Sequence, residues 1–536
     1  MITRESRRVA ANRPSATVRA LLLDGYEEME RWNAPLPLGT PAVVTYSFSQ
    51  PEAGETAYGG MLSGLRSFTT AERSRARAAL AAWSAGTGLT FQETSAGTGN
   101  IRFAFARFSG TEFDDEAGNA TAPNRMGGAD EPSQIYLDSG FFSRYSLESG
   151  RGYQVLVHEI GHALGLKHPH ESGNRLPTAI DTTETTVMSY TQRGGAVSAP
   201  RELDRQAISY LYGTRVSQSG ITGGWSQRRG GLTRFGDARD NPVGGSSVAD
   251  RLHGGDGNDH LVGYDGNDSL SGDGGQDTLV GGSGSDWLFA FGDGDLLDGA
   301  QDFGSSFFYL GESNTVSYRL ASRGITVSLE TFANGEEVDV GGLPYIGIQA
   351  LQYGRQSGGN RTRRDVINVG ACEILEGSSF ADDLAAYGNQ TVRGGDGADT
   401  LRNAAGQSNR FEGGLGNDTV VYAGVRAAWQ IRTDGGTTTV QPVGGAGAEQ
   451  DRLEGVETLR FDDRSLSLVA DGRQGRRREQ PAARLAADLA AAMVGEGACG
   501  RAAFSPAGVG AGSPGTHLAV MAAEGVMDRA GWLWWR

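Results

Sequence analysis

Residues 158–168 read HEIGHALGLKH and hold three of the chain's seven histidines, with His170 two residues further on. On a helix, side chains at i and i+4 lie one turn apart on the same face, so His158 and His162 can both reach one ion. Glu159 can approach a metal-bound water without occupying a coordination position. Gly165 can take the left-handed conformation that ends a helix and turns the chain back. That turn lets His168, six residues after His162, come round as a third ligand. Three nitrogens and an open fourth position describe a catalytic zinc site, because structural sites are usually closed by four protein ligands. A buried helix with incidental histidines would explain His158 and His162 alone. It does not explain Gly165 and His168 at these offsets.

The rest of the chain sets the context. At 536 residues it is too long for one ordinary core, so two or more domains are expected. Its 83 glycines lie well above the usual ~7% and are unevenly placed. A net charge of −16 argues against nucleic acid as a partner and suits cation binding. Arginine carries nearly all the positive charge, Lys167 being the single lysine, which reads as coding bias. Cys372 and Cys499 are too few for a disulfide framework. The N-terminal stretch lacks the apolar h-region of a secretory signal, and no window reaches the ~18 apolar residues of a spanning helix.

Residues 1–18 read as a flexible leader or short propeptide. From there to Gly213 the pattern is mixed α/β. TAERSRARAALAAWSAGTG (70–88) reads as a helix after a threonine cap, GNIRFAFARF (99–108) and SQIYLD (133–138) as strands, and 153–166 and 201–213 as helices. The strand at 99–106 is a candidate edge on which an extended peptide could pair, although a plain sheet strand explains it equally well. Residues 214–245 read as a linker.

A second regime follows. Leu252, Leu261, Leu270, Leu279, Leu288 and Leu297 recur every nine residues, and Asp250, Asp259, Asp268, Asp277, Asp286 and Asp295 keep the same step. The repeats have the shape G-G-x-G-x-D-x-U-x of a Ca2+-binding parallel β-roll. Glycines permit the turn, aspartates give hard oxygen ligands, and leucines stack inward. The pattern returns, broken, at 393–401 and 412–421, giving the calcium candidates Asp259, Asp268, Asp277, Asp286, Asp399 and Asp418. Tyr264 and Asp273 depart from it at the second glycine. Residues 306–370 read as ordinary short strands, and 464–536 as an unassigned tail with a helix near 481–494.

HEIGHALGLKH, with Met188 and Tyr190 in TTVMSYTQ (185–192), resembles the zinc site and Met-turn of the metzincin proteases. Pro169 after the third histidine resembles the serralysin family in particular. LLLDGYEEMERWN (21–33), VVTYSF (43–48) and ELDRQAISYLYG (202–213) are similar to that family's flanks, and DRLEGVETLRFDD (451–463) to the close of an RTX domain. The resemblance covers most of residues 20–213. The stretch between His168 and Met188 is short for the family, and its usual acidic-then-apolar terminus is absent.

The resemblance implies an α+β metzincin catalytic domain (19–213) followed by a Ca-dependent parallel β-roll, the RTX domain (246–463). It implies a secreted, extracellular bacterial endopeptidase that hydrolyses peptide bonds by Glu159-assisted attack of zinc-bound water. Zn2+ would be held by His158, His162, His168 and, at rest, Tyr190, which would then stabilise the oxyanion. Protein or peptide substrates and a type I secretion apparatus are the implied partners. The alternative is a calcium-binding surface or adhesion protein carrying an inactive protease-like domain, although an inactive domain need not keep the ligand set. A matrixin-like enzyme is disfavoured by Pro169 and by the roll. His170 is assigned no role.

Overall fold

Thr69 opens the first long helix. Its hydroxyl accepts from the Glu72 backbone N–H, and the Glu72 carboxylate accepts from the Thr69 N–H at 2.7 Å. This capping box satisfies two helix-end donors. The computed structural model describes residues 14–468 except 24–30, 50–61, 96, 109–116, 124–131, 149, 172, 215–219, 292–293, 300–312, 332–336, 341–342, 347–349, 357–364, 369–371, 387, 404–407 and 445–449.

The N-terminal part has α1 (Ala16–Arg19), β1 (Ala42–Phe48), β2 (Ser63–Arg66), α2 (Thr70–Ser84), β3 (Leu89–Glu93), β4 (Ile101–Arg107), β5 (Gly118–Ala120) and β6 (Ser133–Asp138). Helices α3 (Ser139–Phe142), α4 (Gly150–Ala163) and α5 (Glu202–Tyr212) follow. The sheet order is β3-β1-β4-β6-β5, parallel except for β5, with β2 antiparallel to β4. The candidate edge strand at 99–106 is therefore interior. β1 and β6 flank β4, and Ile101, Phe103 and Phe105 are fully buried, so no backbone edge is left for a peptide there. The described edge on that side of the sheet is β5. Helix α4 packs against α2, where the Trp83 indole donates to the Val157 carbonyl at 3.0 Å. The end of the expected leader is also ordered. Ser15 caps α1 and Val18 is buried, while residues 1–13 lie outside the described residues.

Among the described residues, the roll is built from two sheets of twelve strands each. Strands β10 (Arg251–Asp256) and β12 (Ser269–Gly274) pair in parallel with Leu252 opposite Leu270, while β11 (His260–Asp265) and β13 (Thr278–Ser283) pair with Leu261 opposite Leu279. Successive repeats thus alternate between sheets, and the six repeat leucines form two stacks, Leu252, Leu270 and Leu288 on one sheet and Leu261, Leu279 and Leu297 on the other, all fully buried in one core. The segment expected to be a linker holds three strands: β7 (Thr222–Ser226), β8 (Gly231–Phe235) and β9 (Pro242–Ser246). β8 and β9 pair with β10 and β11, so the roll starts earlier than the repeats do. Val243 and Arg234 occupy the register positions that leucine fills later, and Asn241 takes an aspartate position, which hides these turns from the ninefold pattern.

The two repeat blocks belong to the same pair of sheets. Trp287–Phe289 pairs with Thr315–Ser317, which pairs with Ile374–Glu376 and then Thr391–Asp396. Between the blocks, Ile325–Thr331, Ala350–Gln356 and Asp365–Asn368 form an antiparallel excursion within one sheet. Thr458–Arg460 and an antiparallel Ser465–Ser467 end the other strand stack, slightly beyond residue 463. The tail from 469, with its expected helix, lies outside the described residues.

Tyr264, one of the departures from the repeat, joins the roll to the N-terminal part. It takes a left-handed backbone (φ 78°) that favours glycine, yet it is buried in a cluster with Leu36, Val262 and Val280. The Thr45 and Ser247 hydroxyls meet beside this junction.

Candidate metal centre

Helix α4 carries His158 and His162 one turn apart, and the chain reverses at Gly165 (φ 93°) to bring in His168. The three Nε2 atoms lie 3.1, 3.2 and 3.0 Å from one another. Two nitrogens bound tetrahedrally to one zinc at ~2.0–2.1 Å would be about 3.3 Å apart, so this donor set fits the ion. Each remaining ring nitrogen is held: His158 Nδ1 by the Val187 carbonyl at 2.8 Å, His162 Nδ1 by the Leu166 carbonyl at 2.7 Å, and His168 Nδ1 by the Glu171 carboxylate. These bonds fix the tautomer that leaves Nε2 free to coordinate. Burial is the main cause that lowers all three imidazole pKa values, His168 to about 3, and it favours the neutral ligand form.

The reversal after α4 is clamped from both ends of the N-terminal part. Leu22 bridges Leu166, and the Lys167 N–H donates to the Leu21 carbonyl at 2.9 Å. The Trp32 indole donates to the Ala163 carbonyl at 2.8 Å, and the Tyr212 hydroxyl to the Leu164 carbonyl at 3.1 Å. Carbonyls at a helix end, which lack intrahelical donors, thereby gain partners.

Met188 is fully buried beneath this helix. A Cβ at Gly161 would stand 2.4 Å from its sulfur, so glycine leaves the room the methionine occupies. Glu159 is buried on the same helix, beside edge strand β5, where a Cβ at Gly118 would meet its Oε1 at 2.8 Å. Tyr190 lies over the triad, its ring centroid 4.3 Å from His168 and 5.7 Å from His158, and it is 65% exposed. His170 joins this group. Its ring stacks on His168 at 5.3 Å and lies 5.1 Å from Tyr190.

The roll aspartates line its turns. Asp268 Oδ1 accepts the Asp250 N–H one coil earlier at 2.7 Å, and Asp259, Asp277, Asp399 and Asp418 accept equivalent N–H bonds. The Oδ2 atoms of Asp259, Asp268, Asp399 and Asp418 are buried without a hydrogen-bond partner. A buried unpaired carboxylate oxygen is costly, and a hard cation would satisfy it. Each Oδ2 also crowds a turn glycine: a Cβ at Gly263 would lie 2.3 Å from Asp268, and at Gly272 and Gly281 it would lie 2.1 and 2.4 Å from Asp277 and Asp286. Burial, then neighbouring carboxylates, pushes Asp259 up to about 6 and Asp399 to about 8, and Asp268 also rises well above its ordinary value.

Residues 65–213 match the matrixin family model, and 244–279, 271–304 and 384–420 match the RTX calcium-binding nonapeptide repeat (4 copies). Serralysin of Proteus mirabilis is 31% identical over 220 residues, which is 35% of this chain and 44% of that protein. Metallopeptidase AprA of Pseudomonas marginalis is 29% identical over 195 residues, 32% of this chain and 40% of the relative. Over this matched region the chain is similar to the serralysins. Its match to these curated relatives spans less than half of their length. The matrixin region implies zinc and the RTX repeats imply calcium, and the three histidines are placed for the former.

Four supporting residues escape the motif. Trp32, Asp204 and Tyr212 lie far from HEIGHALGLKH and only the fold brings them to it, whereas Glu171 stands three residues past its end and holds His168 Nδ1. Of the three distant residues, Asp204 alone leaves a local trace, since it stands three residues after Arg201 at a helix start and accepts the Arg201 N–H at 2.7 Å. Among the described residues, no helix is long and apolar enough to cross a membrane.

Proposed function

We propose that the chain is a secreted, zinc-dependent endopeptidase that hydrolyses peptide bonds of extracellular proteins. The observation that carries this reading is the convergence of His158, His162 and His168 Nε2 atoms next to buried Glu159. Zinc bound there would supply an acidified water and a Lewis acid for the scissile carbonyl. Glu159 would take the proton of that water and pass it to the leaving amine. Tyr190, above the histidines, would donate a hydrogen bond to the oxygen on which negative charge develops. Edge strand β5 borders Glu159, so an extended substrate would pair its backbone there, and not on β4.

Residues 19–213 form the catalytic domain, and the roll extends from about 222 through 467, with Asp259, Asp268, Asp277, Asp286, Asp399 and Asp418 as calcium ligands. Calcium outside the cell would complete the roll after export through a type I apparatus, tying folding to secretion. Glu159→Ala is expected to keep stoichiometric zinc by elemental analysis while losing casein hydrolysis. Undiminished proteolysis by that variant would sink the proposal.

A further inference from the structure

Two turns of the roll share an unusual sequence. GSSVAD (245–250) and GSSFAD (377–382) each stand at the head of a repeat block, with serine at the second glycine position and Val248 or Phe380 at the third. In the calcium-type turns, the second position has a left-handed backbone: Gly255, Tyr264, Asp273, Gly282, Gly395 and Gly414 all have positive φ. Ser246 and Ser378 do not. Instead they face their own aspartates. The Ser246 N–H and hydroxyl donate to Asp250 Oδ2 at 2.5 and 2.9 Å, and the Leu232 N–H donates to Oδ1 at 2.5 Å. The Ser378 N–H donates to Asp382 Oδ2 at 2.6 Å, while its hydroxyl and the Ile325 N–H reach Oδ1 at 2.8 and 2.5 Å.

All four carboxylate oxygens are thus satisfied by the protein, whereas Asp268 and Asp399, one coil further on, each keep a buried Oδ2 without a partner. A third head turn reaches the same end differently. Asn241 puts a neutral amide in the aspartate position, and its oxygen accepts the Asp237 N–H at 2.7 Å. Each head turn then donates its backbone N–H to the next carboxylate: Asn241 to Asp259 at 2.8 Å, Asp250 to Asp268 at 2.7 Å and Asp382 to Asp399 at 2.8 Å.

We propose that GSSVAD and GSSFAD are metal-free starter turns, closed by serine, whose aspartates are not calcium ligands and whose backbone orients the calcium carboxylate one coil further on, Asp268 or Asp399. The inference rests on the reading of the repeats as calcium sites. Calcium bound per full-length chain, measured after equilibrium dialysis, tests it. Asp268→Asn and Asp399→Asn are expected to bind less calcium than the parent chain, while Asp250→Asn and Asp382→Asn bind the same amount. Loss of an ion in either of the latter would overturn the proposal. A parent chain that bound no calcium would overturn the calcium reading itself, and this inference with it. If an aspartate variant does not fold, Ser246→Ala and Ser378→Ala serve: each is expected to melt about 2–4 °C lower at saturating calcium with its ion count unchanged. Unchanged melting in both would also overturn it.

Discussion

The Asp204 carboxylate accepts the Val187 N–H at 2.9 Å, and the Val187 carbonyl holds His158 Nδ1 at 2.8 Å. One residue therefore separates the first turn of α5 from His158, a member of the candidate metal-binding triad. The same carboxylate takes the Thr186 hydroxyl at 2.5 Å and the Arg201 N–H at 2.7 Å, so it fixes the loop that carries Met188 and Tyr190. Asp204→Ala is expected to weaken zinc binding by about 10-fold or more, as loss of outer support for a ligand does. Competition against a chromogenic chelator measures this. Parent-like affinity would show that the loop holds itself.

Gly118 makes a second, separable prediction. A methyl group there would come within 2.8 Å of both Cγ and Oε1 of Glu159, which cannot retreat far inside a buried site. Gly118→Ala is expected to lower kcat about 10²-fold through misplacement of the base, with zinc content unchanged. A loss of zinc in step with activity would contradict the assignment of the effect to Glu159.

The roll should respond to pH in opposite senses with and without calcium. A carboxyl whose pKa is higher folded than unfolded stabilises the fold below its unfolded value, ~4, and loses that contribution as pH rises through the folded value. For Asp259 and Asp418 the loss is complete above about 6, and for Asp399 above about 8. In chelator, the roll is expected to be more resistant to urea at pH 5 than at pH 8. In millimolar calcium the order should reverse, because protons compete with the ion for the same oxygens. Circular dichroism in both buffers decides, and equal midpoints in chelator would refute the argument.

Leu36 tests the junction. It is fully buried against roll residues, and Leu36→Ala is expected to cost about 2–5 kcal/mol in calcium. Urea titration would read this as a lower midpoint, and an unchanged midpoint would mean that the contact contributes nothing.

The sequence carried the histidine triad and the repeat register because both are local. Histidine spacing on a helix and leucine spacing on short strands each repeat the period of the backbone itself. What it concealed is what the fold assembles at a distance. Trp32 and Tyr212 reach the end of α4 from opposite ends of the N-terminal part, with no shared motif to announce them. The 99–106 strand alternates as an edge strand would, yet partners on both sides bury it, and alternation alone does not count neighbours. β8 and β9 were hidden for a plainer reason, since Arg234 and Asn241 stand where the pattern expects leucine and aspartate.

The junction at Leu36 also gives the roll a parity. Val262 and Val280 face it from the same sheet, one full coil apart, together with Tyr264. The repeat between them belongs to the other sheet and offers Ser271 and Asp273 at the corresponding places. Removing one nonapeptide would present that polar pair to Leu36, whereas removing two would restore an apolar surface. Although each repeat looks interchangeable with the next, lineages that lengthen or shorten this roll near its start should do so in even numbers of repeats.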